Sequence, residues 1–232
     1  MIAVRGENPG RDLKFSDEQL ELPGKKGACF TLRPVDGKRK NGTVEHNIPR
    51  IRALDVSWNY SWGSGRAEEQ PPEIEFIPMA WGNFRDSAKL HALLAEDIQS
   101  GKVKRFLGFN EPDKKEQANM PYMRAIELWP ELEKLGVPLC SPACANPEGI
   151  SDSSAQGVRG TWMRDFMEEA EDRGYRIDYT GVHWYGGCSA AGFKEKMRRI
   201  YRMYGRRPLL ITEFAPADWK ARSPADNRHT PA

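Results

Sequence analysis

Short apolar runs alternate with amphipathic stripes along most of the chain. Gly27–Leu32 (GACFTL) is the first run that reads as a strand, followed by Asp55–Trp62 (DVSWNYSW), which alternates and breaks at Gly63-Ser64-Gly65. Glu73–Trp81 (EIEFIPMAW), the run opening at Arg105, Val137–Cys144, Ile177–Tyr185 and the run opening at Leu209 complete a set of seven. Between them the periodicity becomes helical. A short helix is expected around Ser16–Leu22 and another at Ile48–Leu54. Asp86 reads as an N-cap ahead of Leu90, Leu94 and Ile98, with Gly101 as the stop. Ala125, Leu128, Leu132 and Leu135 mark a helix over Met120–Leu135, which Pro130 is predicted to kink or divide. Thr161 should cap a helix carrying Trp162, Phe166 and Ala170, and Phe193, Met197, Ile200 and Tyr204 form a last stripe closed by Gly205.

Strands that alternate with helices at this spacing predict a parallel sheet with crossover helices. The expected fold is α/β, a (β/α)₈ TIM-type barrel that lacks the eighth strand and helix in this chain. An open doubly wound sheet is the alternative, but the Gly-rich nucleotide loop that usually accompanies it is missing. Residues 1–26 are polar and read as a loosely ordered leader, 27–219 as the barrel, and 220–232, rich in Pro, Arg and Asp, as a disordered tail.

A length of 232 residues suits one domain. Lys and Arg number 35 against 33 Asp and Glu, a net charge of +2, so the charge balance argues against nucleic acid or an anionic membrane as partner. The basic run Lys194–Arg207 fits a solvated outer helix better than a phosphate-binding surface, because Tyr201 and Tyr204 lie on the apolar side. No signal peptide opens the chain. Cys29, Cys140, Cys144 and Cys188 fit no zinc spacing. A monomer is expected.

Candidate chemistry sits at two strand ends. Arg105–Asp113 reads RFLGFNEPD, so Glu111 should close a buried strand, with Pro112 biasing it towards an extended conformation. Pro208–Pro216 (PLLITEFAP) repeats the arrangement with Glu213. Two parallel strands ending in Glu bring both carboxylates to one rim, which is the apparatus of glycoside hydrolysis. The partner's charge and burial would raise the pKa of Glu111. Asn110 beside it could hold a sugar hydroxyl. His183 and Tyr185 share one face of their strand, with Trp184 on the other. Either they point to the mouth, with Tyr185 steadying Glu213, or they are core residues satisfied by neighbours. A zinc site from His183 and the two glutamates is disfavoured, as no second His is well placed. Among seven Trp, Trp62 and Trp81 are the best sugar-stacking candidates, each preceding a Gly-containing break, with Trp58 and Trp184 also near strand ends.

Val56–Gly63 (VSWNYSWG), Phe76–Gly82 (FIPMAWG), Gly108–Asp113 (GFNEPD), Val182–Gly186 (VHWYG) and Ile211–Ala215 (ITEFA) occur in an order that resembles glycoside hydrolase family 128, the endo-β-1,3-glucanases. The resemblance implies a retaining hydrolase of internal β-1,3-glucosidic bonds, with Glu111 as acid/base and Glu213 as nucleophile. It implies β-1,3-glucan as the partner, no cofactor, and a secreted or cell-wall location. A non-catalytic glucan-binding barrel and a clan relative acting on another β-linkage are the alternatives. After Trp219 the family would supply a further helix, an eighth strand and a last helix, where this sequence has Lys220–Ala232 with no apolar period.

Overall fold

The computed structural model describes residues 14–32, 43–148, 162–218 and 220–229. The first part of the leader, the Thr161 cap, Trp219 and the last three residues lie outside these. Within them the order is α1 (Asp17–Leu20), β1 (Gly27–Cys29), α2 (Val44–Ala53), β2 (Trp58–Tyr60), β3 (Glu75–Phe76), α3 (Ser87–Gln99) and β4 (Phe106–Leu107). There follow α4 (Tyr122–Glu133), β5 (Leu139–Cys140), α5 (Trp162–Asp172), β6 (Thr180–Gly186), α6 (Ala190–Met203), β7 (Leu209–Pro216) and a 3₁₀ turn at Pro224–Asp226. Each expected strand is present.

Local chemistry sets the helix limits. The Asp86 carboxylate accepts from the Lys89 N–H at 2.9 Å, and Gly101 takes a left-handed conformation just beyond the end of α3. The Ser189 hydroxyl caps α6 through the Gly192 N–H at 3.0 Å. Thr43 caps α2, so this helix starts earlier than its apolar stripe suggests. Pro130 does not divide α4, which stays one helix with Pro130 inside it. Trp129, fully buried and donating to the Arg176 carbonyl at 2.9 Å, ties that turn down and offsets the missing backbone donor.

The strands are parallel and follow chain order: β1-β2-β3, then β4-β5, then β6-β7. Single bridges, Met79 with Leu107 and Cys140 with Tyr179, join these three sheets in sequence. β7 lies beside β1. Among the described residues no ladder connects these two; instead the Tyr60 hydroxyl on β2 donates to the Thr212 carbonyl on β7 at 3.1 Å. The expected barrel is thus met as an ordered parallel array of seven strands whose sheets are not closed.

The packing shows which face is which. Trp58, Tyr60, Ile77, Met79, Leu107, Cys140, Tyr179 and Leu210 form one buried cluster, with Cys29, Leu20 and Leu22 packed against it. Every strand, or the residue flanking it, contributes to this shared interior. The opposite faces meet α3 to α6 in a larger core around Phe109, Trp129, Trp162 and Phe166. Burying each such aliphatic or Phe side chain stabilises the fold by about 1.5–3 kcal/mol. Gly108 permits the β4–β5 approach, since a Cβ there would lie 2.8 Å from the Cys140 carbonyl oxygen and 2.9 Å from the Pro142 nitrogen.

The N-terminal ends of the strands are closed by a buried ion pair. Arg105 Nε stands 2.6 Å from Glu75, and its Nη1 donates to the Tyr179 hydroxyl at 2.6 Å. The remaining guanidinium hydrogens reach the carbonyls of Leu20 and Glu21, so residues 14–26 are fastened over this end, contrary to the expectation of a loose leader. A cavity of about 690 Å³ between Phe15, Glu21 and Arg105 lies here, away from both candidate glutamates. The segment expected to be a disordered tail also carries structure: Arg228 holds Asp218 at 2.7 Å around the 3₁₀ turn. Among the described residues no helix is long and apolar enough to cross a membrane.

Candidate active site

Glu111 sits at the C-terminal side of β4. Asn110 bridges to Ala143, and the Glu111 N–H donates to the Ala143 carbonyl at 2.8 Å. The next residue turns rather than continuing. Glu111 has φ of +38°, not the extended conformation expected before Pro112. A left-handed backbone at a non-glycine residue costs about 1–3 kcal/mol and persists where surrounding contacts enforce it. Here the turn carries the side chain inward, where it is 4% exposed.

Glu213 reaches the same place by a different device. On β7, Leu210 faces the shared interior and Ile211 packs against the outer core. Strict alternation would then turn Thr212 inward and Glu213 outward. The register against β6 slips: Val182 pairs with Ile211, and the next residue, His183, pairs with Glu213. Thr212 is the extra residue of a β-bulge, which flips every later side chain to the other face. Glu213 therefore points inward, and Phe214 points outward onto Phe193 of α6 at 5.7 Å.

The two carboxylates meet at His183. Its Nδ1 lies 2.9 Å from Glu111 Oε1 and 3.5 Å from Glu213 Oε2. One ligating atom from each of the three residues falls within 4.8 Å of the others. These three would be the donor set for any metal ion. With the Glu111 carboxylate oxygen as its acceptor, Nδ1 serves as the hydrogen-bond donor. Glu213 collects further donors. The Tyr185 hydroxyl donates to Oε2 at 2.8 Å, while Trp62 Nε1 at 2.8 Å and the Tyr60 hydroxyl at 3.3 Å serve Oε1. Burial and the bond to Glu213 push the Tyr185 hydroxyl well above its ordinary pKa, so it remains a proton donor in the hydrogen bond.

Burial acts to raise the pKa of Glu111, as expected. The His183 bond and charge, and then Lys114 at 3.7 Å, outweigh it and hold the carboxyl below its usual value. The expected upward shift is thus reversed.

The mouth is aromatic. Trp62 and Trp81, 44% and 41% exposed, line one cavity of about 520 Å³ together with Asn83 and Phe84. Trp184 is not brought to the glutamates, because alternation on β6 sends it outward, where its ring meets Phe193 at 5.0 Å. Trp58 is buried in the interior. Asn110, 2% exposed, donates to Gln117 at 3.3 Å and leaves its Oδ1 without a partner. Asn59 is spent on structure, donating to the Phe30 carbonyl at 2.8 Å.

The sequence matches a family profile described as "Glycosyl hydrolase catalytic core" over residues 39–231. A subgroup I endo-β-1,3-glucanase of family 128 from Amycolatopsis mediterranei, in complex with laminaritriose and laminaribiose, is 32% identical. That match covers 73% of this chain and 66% of the other, at a TM-score of 0.56. Another structure of that enzyme is 35% identical over 74% of this chain and 70% of the other, with a TM-score of 0.56. A subgroup III curdlan-specific exo-β-1,3-glucanase from Blastomyces gilchristii, in complex with glucose, is 30% identical over 71% and 69%, at 0.54. The chain belongs to glycoside hydrolase family 128. A search of curated proteins found no match.

Within this family-128 chain, three residues at the site were not singled out from the sequence. Tyr60 alternates with Trp62 in VSWNYSW, and their shared face was the available signal. Lys114 follows Glu111 by one turn, and Gln117 becomes a neighbour of Asn110 only because the loop after β4 folds back.

Proposed function

We propose that this protein is a retaining glycosidase cleaving internal β-1,3-glucosidic bonds on a (β/α)₈-type scaffold. The observation that carries the reading is the meeting of Glu111 and Glu213, from strands far apart in sequence, at one histidine within 4.8 Å. Retaining enzymes hold their two carboxyls about 5–5.5 Å apart, whereas inverting ones leave about 6.5–9.5 Å for a water. Glu213 attacks the anomeric carbon while Glu111 gives its proton to the leaving oxygen, forming a glycosyl ester. Glu111 then takes a proton from water, which opens the ester and restores Glu213 with net retention. The Tyr185 hydroxyl on Oε2 and the Trp62 indole N–H on Oε1, both at 2.8 Å, fix the plane of the Glu213 carboxylate. Trp62 and Trp81 offer exposed ring faces for stacking glucose units, and Asn110 has a free acceptor for a sugar hydroxyl. β-1,3-Glucan as substrate is supported by the subgroup I, II and III relatives, named as β-1,3-glucanases; the first two are named endo and the third exo.

The test is Glu213→Gln. Reducing-end release from laminarin should vanish while glucan binding stays measurable, and proton NMR of wild-type products should show the β-anomer first. Undiminished hydrolysis by the variant, or α-anomer as first product, overturns the assignment. Release of glucose alone from the wild type would replace endo with exo action.

A further inference from the structure

Trp62 has two contacts that pull on one ring. Its indole N–H donates to Glu213 Oε1 at 2.8 Å, while the ring is 44% exposed and lines the cavity it shares with Trp81. The backbone is held at φ of +53°, in the left-handed region that bulky residues enter only when their surroundings enforce it. The ring edge meets Tyr60 at 5.7 Å, and Tyr60 supplies the other hydrogen bond to Oε1, longer at 3.3 Å. Trp81, across the cavity, makes no hydrogen bond to either glutamate among the described residues, so the two tryptophans differ in kind. A half-exposed indole in water is free to leave a carboxylate. The same indole pinned beneath a sugar ring is not.

We infer that Trp62 is a positioning residue for Glu213: glucan bound in the Trp62–Trp81 cavity holds the indole N–H on Oε1, so longer chains raise kcat as well as affinity. This rests on Glu213 being the nucleophile. It assigns to this cavity a use of remote binding energy in the chemical step, not in affinity alone. Oε2 keeps Tyr185 whatever the cavity holds, whereas Oε1 depends on Trp62 and on the more distant Tyr60 hydroxyl, whose one proton also faces the Thr212 carbonyl at 3.1 Å.

The experiment compares laminaritriose with laminarihexaose for the wild type, Trp62→Phe and Trp81→Phe, with circular dichroism and thermal melting as folding controls. Wild-type kcat should rise with chain length. Trp62→Phe keeps an aromatic face but loses the donor, so kcat on the hexaose should fall about tenfold and lose its dependence on length. Trp81→Phe should raise KM while the rise of kcat with length survives. If Trp62→Phe does not fold, Trp62→Tyr, which restores a donor on a ring, is read instead and should retain part of the rise. A Trp62→Phe effect confined to KM, or a wild-type kcat independent of length, overturns the inference while leaving the hydrolase reading intact. A wild type that hydrolyses neither glucan overturns both.

Discussion

His183 Nδ1 stands 2.9 Å from Glu111 Oε1, with both side chains almost wholly buried. The same nitrogen is 3.5 Å from Glu213, so one imidazole is the common ground of two carboxylates that would otherwise repel each other. Removing it by His183→Ala takes from Glu111 its hydrogen-bond donor and opens the space between the two carboxylates. Hydrogen bonds to charged groups contribute about 1.5–3 kcal/mol. We expect kcat/KM on laminarin to fall by about 10- to 100-fold, and urea denaturation to show about 1–3 kcal/mol of lost stability. An unchanged kcat/KM would separate His183 from the reaction.

Lys114 reaches Glu111 Oε2 from the following turn, with its side chain partly in solvent. The groups facing Glu111 are His183 and Tyr185 of β6, Glu213 of β7, Cys144 after β5, and Asp113 and Lys114 of its own loop. The His183 hydrogen bond and Lys114 prevail over burial, and the pKa of Glu111 is lowered. Glu111 must carry a proton to act as acid, so hydrolysis should decline as pH rises through that lowered value, giving an acidic optimum. Lys114→Met removes a positive charge beside Glu111 and should move the basic limb of the pH–rate profile to higher pH. Stability has the opposite dependence: a depressed carboxyl contributes above its unfolded pKa and ceases to as pH falls through the folded one. Thermal melting of Glu111→Gln between pH 3 and 7 should therefore show a flatter acid side than the wild type. A basic limb that stays in place in Lys114→Met would rule out this tuning.

Arg105 and Glu75 close the far end of the strand array, with side chains 3% and 7% exposed. Arg105→Met would strand a buried carboxylate and take the guanidinium donor from the Glu21 carbonyl, leaving Leu20 only its bond from the Tyr179 hydroxyl at 2.8 Å. A loss of about 3–5 kcal/mol is expected in denaturant unfolding, as for other broken buried pairs. Because the pair is remote from Glu111 and Glu213, kcat should survive wherever the variant stays folded. A loss below about 1 kcal/mol would mean that residues 14–26 are not fastened by this pair.

Much of the architecture was written in local pattern. The seven strands fell on seven apolar runs, and Asp86 and Ser189 capped their helices because their side-chain oxygens had no better partner than a free backbone N–H. For residues 14–26 the charges suggest solvent, yet the structure fastens them to the strand array. Nothing local says that the Leu20 and Glu21 carbonyls will be claimed by Arg105. The pKa of Glu111 was misjudged for the same kind of reason: burial is legible in an apolar run, but a lysine and a histidine folding onto the carboxylate are not.

Residue order alone determined that Glu111 and Glu213 would each lie towards the C-terminal side of a parallel strand, since apolar runs, breakers and alternating helices are properties of neighbours in the chain; β7 runs on past Glu213 to Pro216, so the expected strand end there is not met. Whether Glu213 would face its counterpart was decided only by three-dimensional pairing. The extra residue at Thr212 arises from how β7 lies against β6, and by plain alternation Glu213 would have pointed away, to the side that Trp184 and, because of the bulge, Phe214 occupy. Periodicity within one strand cannot reveal this, because a bulge belongs to the register between two.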